Sequence, residues 1–275
     1  MSKYLGTLKR HPACAAFLSV LAAFLVGDAV RRHALDKTVV YLAAVGLSVL
    51  AIDAVLARWP IASAVPHVRS PALETCFAAG TAVLGFACFW TLFVLHDLPA
   101  STVWRWLFLI VGLGSGFGVA LALFLLWRGY RQRDLGVRAN GLLFGLPIHV
   151  IFGILAFASR GGAVLNIIGN RSALIGWLTA MPVAGLSEEF LRFVWQTRVS
   201  AWRDSPALGW IVASCVWAAM HAPRFVGANG LVHGTLGVID LMPLGLLFGY
   251  LTHRTRSFLP AALIHSTNIW LLHEL

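Results

Sequence analysis

Long apolar segments separated by short polar links dominate the pattern of hydrophobic and polar positions along this chain. A helix needs about 20 mostly apolar residues to cross a bilayer, and nine segments reach or approach that length. They cover 12–30, 38–57, 71–95, 104–127, 140–159, 173–198, 206–223, 236–252 and 258–274. The segments do not alternate between apolar and polar residues, which argues against a transmembrane barrel. The pattern predicts an all-α fold, a polytopic membrane helical bundle of about eight to nine transmembrane helices.

The composition agrees with a membrane protein and changes how the net charge is interpreted. Of the 275 residues, 59% are hydrophobic and only 12% are charged, whereas soluble domains carry about 25% charged residues. The net charge of +10 comes from basic residues in short links, so we predict no nucleic-acid partner. Lys and Arg are concentrated in the N-terminal tail and after the even-numbered segments, which predicts a cytoplasmic N-terminus in an inner or cell membrane.

A strongly basic link at 128–138 separates two regions of different character. Residues 1–135 hold apolar helices with isolated acids, and we assign them no role. Residues 136–275 hold most of the polar groups within apolar segments, together with several Gly and Pro interruptions. We therefore expect the functional site in the second region.

Two adjacent carboxylates and an arginine interrupt the sixth apolar segment: Glu188, Glu189 and Arg192. A charge near the bilayer centre costs about 2.5–3.5 kcal/mol on insertion scales. Residues three and four apart share a helix face, so one glutamate can pair with Arg192 while the other points elsewhere. A purely structural ion pair within the membrane is the alternative interpretation.

Histidines in two later apolar segments can complete a site with these acids. His221 ends the seventh segment, and His265 lies about two turns into the ninth, followed one turn later by Asn268. Imidazole can orient water, an amide can donate to an oxyanion, and a glutamate can take a proton from water. A single histidine in an apolar helix is more often a packing residue, but two histidines beside paired acids favour a hydrolytic site.

Together these motifs resemble the CPBP family, which comprises CAAX prenyl proteases, bacteriocin-processing enzymes and related glutamic-type intramembrane proteases. The family pattern is Glu-Glu-x-x-x-Arg, then Phe-x-x-x-His, then His-x-x-x-Asn/Asp, and the resemblance covers roughly residues 173–275. Trp217 stands here in place of the phenylalanine. Arg192 and Asn268 each come one residue earlier than in the pattern, a rotation of about 100° on a helix.

The resemblance implies an intramembrane endopeptidase that hydrolyses a peptide bond in a membrane-associated protein or peptide. C-terminal processing and removal of a leader or sorting signal are the reactions that it allows. Glu188 would act as general base on a water held with His221. His265, together with Asn268, would stabilise the oxyanion.

Glu189 and Arg192 would have supporting roles, orienting and tuning the site. A competing mechanism places a zinc ion on Glu188, His221 and His265. The resemblance favours the version with no metal and no other cofactor. The expected partners are then a membrane-anchored substrate and the lipid bilayer itself.

Two other classes of function remain open from the sequence. A catalytically inactive relative, such as a bacteriocin-immunity or other membrane partner protein, would keep the fold without activity. A transporter would also use buried acids and histidines at mid-membrane depth. It predicts internal repeats with matching broken helices, and the sequence shows none.

Isolated acids in the first three segments have mostly structural explanations. Asp28 lies near the end of a segment and is expected to reach the interface. Asp53 is expected to pair with Arg58. Glu74 begins a segment, where the positive end of a helix dipole favours a carboxylate.

Overall fold

The protein was analysed as a computed structural model, which describes residues 11–61, 66–95, 103–116, 118–160, 175, 178 and 181–273. All regular secondary structure in this described part is helical, which confirms the predicted all-α class. The α-helices are α1 (Pro12–Arg31), α2 (Leu35–Arg58), α3 (Pro71–Trp90), α4 (Val103–Gly116), α5 (Val119–Trp127), α6 (Leu146–Arg160), α7 (Ser187–Arg203), α8 (Pro206–Met220), α9 (Ala222–Thr255) and α10 (Leu259–His273).

Shorter helical turns extend two of these helices at functionally interesting points. A π-helical turn, Thr91–Leu95, prolongs α3, and a second one, Met181–Leu186, leads into α7. Short 3₁₀ helices at Gln132–Leu135 and Ala139–Gly145 connect α5 to α6. π-helical turns are rare and are often found at functional sites.

The helix lengths agree with a polytopic membrane protein. Within the described residues, four helices are long and apolar enough to cross a membrane: α1, α2, α3 with its extension to Leu95, and α9. The pair α4 and α5, bent by 51°, raises the number to five if it forms one span. Two shorter apolar helices, Gly141–Leu155 and Pro206–Met220, accompany them. The predicted segment 173–198 is only partly described.

Helices α7 and α8 form a tight antiparallel pair because of the residues at their junction. Asp204 ends α7 in the left-handed conformation, with φ +47°. Ser205 then caps α8 by accepting a hydrogen bond from the Leu208 N–H at 3.3 Å, and Pro206 follows at the first helical position. The caps stop one helix and start the next within two residues.

Helix α9 is broken at Gly230, whose φ of +75° and ψ of 170° suit only glycine. A Cβ at Gly234 would lie 2.6 Å from Val226 Cα, whereas a straight helix separates residues eight apart by about 12 Å. Residues 222–229 therefore fold back against the following helix. The sequence predicts a link between the seventh and eighth segments at this position.

Helix α7 is enclosed by its neighbours and forms the centre of the packing. Phe193 and Val194 are fully buried in a core with Leu121 and Leu125 of α5 and Ala78 of α3. Helix association within a bilayer relies on van der Waals packing and polar contacts, since lipid is as apolar as the side chains. The two regions of the chain thus share one core around α7.

A buried polar cluster ties α3 to α7. Arg198 Nε lies 3.1 Å from Glu74 Oε2, and the Tyr130 hydroxyl donates to Glu74 Oε1 at 2.6 Å. The Ser70 N–H also donates to Glu74 Oε1 at 3.2 Å. As expected, the carboxylate lies at the N-terminal end of α3, where it accepts a backbone hydrogen bond. The ion pair with Arg198, 124 residues away, was not predictable from local spacing.

Two other acids form ion pairs, and one of these pairs corrects an expectation from the sequence. Asp53 pairs with Arg254 of α9 and accepts a hydrogen bond from the Tyr250 hydroxyl at 2.6 Å. The predicted Asp53–Arg58 pair is therefore wrong, because α9 brings a cation closer to Asp53 than its own helix does. Asp28 is buried and forms ion pairs with Arg31, the last residue of α1, and with Arg32, which follows it.

Candidate active site

The two adjacent glutamates begin α7, directly after the π-helical turn Met181–Leu186. This turn lies against α10. A Cβ at Gly185 would lie 2.0 Å from Ser266 Oγ and 2.6 Å from the Ala262 carbonyl oxygen. Only glycine permits this approach, and the approach brings His265 of α10 to the start of α7.

The start of α7, the junction of α8 with α9, and α10 bring Glu188, His221 and His265 together. Glu188 Oε2 lies 3.4 Å from His221 Nε2 and 3.8 Å from His265 Nε2. The side chains of Glu188 and His221 are 16% and 20% exposed, and that of His265 is 4% exposed. The arrangement leaves the carboxylate and one imidazole partly open while the second imidazole is enclosed.

Glu189 points away from this opening and is fully buried. Its Oε1 lies 3.0 Å from His265 Nδ1, and its Oε2 forms an ion pair with Arg192. As the spacing predicts, one glutamate pairs with Arg192 while Glu188 faces elsewhere. Glu189 therefore connects the buried cation to the imidazole of His265.

The early position of Arg192 directs its guanidinium toward α9. Arg192 Nη1 donates to the Gly245 carbonyl oxygen at 3.0 Å, and its Cζ lies 5.4 Å from the centre of the Phe248 ring. A Cβ at Gly249 would lie 3.3 Å from Arg192 Nη1, so the space depends on glycine. The residues of α9 thus accommodate an arginine displaced from the family pattern. The side chain of the other displaced residue, Asn268, lies outside the described part of the structure.

Each imidazole has a polar partner at Nδ1. His221 Nδ1 lies 2.9 Å from the Trp217 carbonyl oxygen, and His265 Nδ1 faces the carboxylate of Glu189. In a neutral ring these contacts assign the hydrogen to Nδ1 and leave a lone pair on Nε2. Both Nε2 atoms and Glu188 Oε2 are then acceptors directed at one another. A shared proton or the hydrogens of a water molecule satisfy such a group of acceptors.

Trp217 is a functional candidate to which the sequence analysis gave no role. Its indole N–H donates to Glu188 Oε2 at 2.9 Å. Its ring centroid lies 4.7 Å from that of His221 and 5.4 Å from that of His265. The replacement of phenylalanine by tryptophan in the motif was the available signal, because a buried indole N–H usually has a hydrogen-bond acceptor.

Glu188, His221 and His265 are also of the side-chain types that bind zinc. Within the described ranges, no group of three or more His, Cys, Asp or Glu side chains is arranged to hold a metal ion. A histidine whose Nδ1 donates to a carbonyl or carboxylate is nevertheless usual in zinc sites. Treatment of the purified protein with a chelator distinguishes water alone from zinc-bound water.

The comparisons with known proteins agree with the motif analysis. Neither the curated proteins nor the solved structures give a match. A family model matches, and the residues it covers nearly coincide with the range 173–275 expected from the motifs. This confirms the resemblance to the CPBP family: over residues 170–271 the chain is similar to the family described as type II CAAX prenyl endopeptidase Rce1-like.

Proposed function

We propose that this integral membrane protein is an intramembrane endopeptidase that hydrolyses a peptide bond with water activated by Glu188. The observation that carries the proposal is the position of Glu188 Oε2, which faces the Nε2 atoms of His221 and His265 at 3.4 and 3.8 Å. The family similarity over 170–271 supports the endopeptidase class. No metal or other cofactor takes part in the proposed reaction.

In this mechanism a water molecule donates hydrogen bonds to Glu188 Oε2 and His221 Nε2. Glu188 takes one proton as the water oxygen attacks the peptide carbonyl carbon, forming a C–O bond. The tetrahedral oxyanion then collapses, the C–N bond breaks, and Glu188 returns its proton to the leaving amine. The products are a carboxylic acid and an amine, so atoms and charges balance.

His265 has a distinct part in this scheme. Donation to the oxyanion requires a hydrogen on Nε2, and therefore a doubly protonated ring. The Glu189 carboxylate, 3.0 Å from Nδ1, stabilises that form because it accepts the other hydrogen. Asn268 is proposed to donate to the same oxyanion.

The proposed substrate is a membrane-anchored protein or peptide. The matching family is described as a CAAX prenyl endopeptidase, so a prenylated C-terminus is one candidate substrate, and a leader or sorting signal is another. We propose a cytoplasmic N-terminus in an inner or cell membrane, from the distribution of basic links. An inactive partner protein is disfavoured, because a protein without activity has no need of three costly polar groups in one place.

The test compares wild-type protein with Glu188→Gln, both in cells and as purified protein with fluorogenic membrane peptides that include a prenylated one. Glu188→Gln is expected to lower peptide hydrolysis by about a hundredfold to ten-thousandfold. Asp53→Asn alters an acid whose partners are Arg254 and Tyr250 and none of the site groups; it serves as the control and retains activity. Hydrolysis by Glu188→Gln at the wild-type rate, or identical cellular proteomes, would contradict the proposal.

A further inference from the structure

Trp217 contacts the three groups at the centre of the proposed mechanism, Glu188, His221 and His265. Its N–H donates to Glu188 Oε2 at 2.9 Å, and its backbone carbonyl oxygen lies 2.9 Å from His221 Nδ1. The ring also packs edge-on against both imidazoles. One buried residue therefore touches the general base and the two histidines that face it.

Neighbouring helices hold this indole in place. Trp217 is 4% exposed, and a Cβ at Gly245 would lie 2.8 Å from its Cε3 atom. The Phe248 ring lies 6.2 Å from the indole centroid and packs against His265 as well. With α9 this close, the indole has little freedom to rotate, so the direction of its N–H is fixed by packing.

The hydrogen bond matters because of what surrounds Glu188. With its hydrogen on Nδ1, His221 presents only a lone pair to the Glu188 carboxylate, and His265 Nε2, at 3.8 Å, lies beyond hydrogen-bonding distance of Glu188 Oε2. Neither ring therefore donates a hydrogen bond that would hold the carboxylate in place. The indole N–H supplies that donor from a rigid ring, and a hydrogen bond to a charged acceptor is stronger than one between neutral groups.

We propose that Trp217 is a positioning residue for the hydrolysis: its indole N–H holds Glu188 Oε2 toward the two imidazoles, where the attacking water must be deprotonated. The inference rests on the proposed function and adds to it a role that the phenylalanine of the family pattern cannot perform. Phenylalanine would preserve the aromatic wall against the histidines but has no hydrogen to donate.

The variant that isolates the hydrogen bond is Trp217→Phe, and the chain offers a matched control. Trp210 lies two turns earlier on α8, and its indole N–H donates to the Leu246 carbonyl oxygen at 2.8 Å. Trp210→Phe therefore loses a comparable indole hydrogen bond from the same helix, made to α9 instead of α7 and away from Glu188. If Trp217 has only a structural role, Trp217→Phe and Trp210→Phe should change kcat per folded molecule to a similar extent.

The expected result is a fall in kcat of about tenfold to a hundredfold for Trp217→Phe, equal to about 1.4–2.7 kcal/mol. KM should stay within about twofold of wild type, because the bond acts on the base and not on the substrate. Trp210→Phe should keep kcat per folded molecule. Equal kcat in wild type and Trp217→Phe, with Glu188→Gln inactive, would overturn the inference while leaving the proposed function intact.

A second measurement needs no turnover and so separates the inference from the proposed function. In protein labelled with ¹⁵N-tryptophan, Trp217→Phe identifies the Trp217 indole resonance by its loss. That resonance should move upfield in Glu188→Ala, which removes the acceptor, and should stay in place in Asp53→Asn. An unchanged resonance in Glu188→Ala would refute the contact even if no peptide is found to be hydrolysed.

Discussion

Replacing Arg192 by methionine tests whether the buried ion pair with Glu189 supports the site or only the fold. Both side chains are fully buried, and Arg192 also donates to the Gly245 carbonyl oxygen at 3.0 Å. Arg192→Met leaves the Glu189 charge without its cation inside the protein. Breaking a buried pair in this way costs about 3–5 kcal/mol.

The expected change in melting temperature follows from that free energy. At about 2–4 °C per kcal/mol for a chain of comparable size, Arg192→Met should melt about 6–20 °C below wild type. The assay is thermal unfolding in detergent, followed by intrinsic tryptophan fluorescence. The double variant Glu189→Gln with Arg192→Met removes both charges and should recover much of the loss, because no uncompensated charge remains.

Arg198→Met is the matched control for activity. Arg198 is equally buried on the same helix, but its partner is Glu74, remote from the site. Both single variants should lose stability, whereas only Arg192→Met should lower kcat per folded molecule, because Glu189 also orients His265. Wild-type stability in Arg192→Met, or equal losses of kcat in the two variants, would refute the reasoning.

Two further predictions follow from the site geometry. Gly185→Ala should destabilise the protein by about 1–3 kcal/mol and lower kcat at least tenfold, since a Cβ there would lie 2.6 Å from the Ala262 carbonyl oxygen. The control is Gly80→Ala, where a Cβ meets nothing within 4 Å, and it should leave activity and stability unchanged or slightly improved. Equal melting temperatures and kcat values for the two variants would contradict the packing argument. Prolonged treatment of active, purified protein with a chelator should leave peptide hydrolysis unchanged, and a lasting loss restored by added zinc would instead support the metal-dependent mechanism.

The sequence predicted those features that depend on local spacing. The apolar segments became helices because their length and composition allow little else in a bilayer. The pairing of Arg192 with one of two adjacent glutamates followed from helical periodicity. The same reasoning, joined to the family pattern, selected Glu188, His221 and His265 as residues that meet.

Contacts between distant helices were not predictable, because they depend on how the helices pack. Asp53 has a nearby arginine on its own helix, yet its partner is Arg254 of α9. The hydrogen bond from Trp217 to Glu188 likewise requires α7 and α8 in their final register. Arg192 comes one residue earlier than in the family pattern, and the sequence could not show that the Gly245 carbonyl oxygen of α9 accepts a hydrogen bond from it there.

The fold-back at Gly230 has a consequence for the N-terminal helices, which had no assigned role. His221 immediately precedes the short helix 222–229, and that helix rests on the end of α3, where a Cβ at Gly227 would lie 2.2 Å from the Phe93 carbonyl oxygen. Residues 1–135 thus support the helix that follows His221, and they also provide Glu74 as the counterion of Arg198. A chain cut to begin at residue 136 would lack both supports, so the candidate site depends on helices from both sides of the basic link.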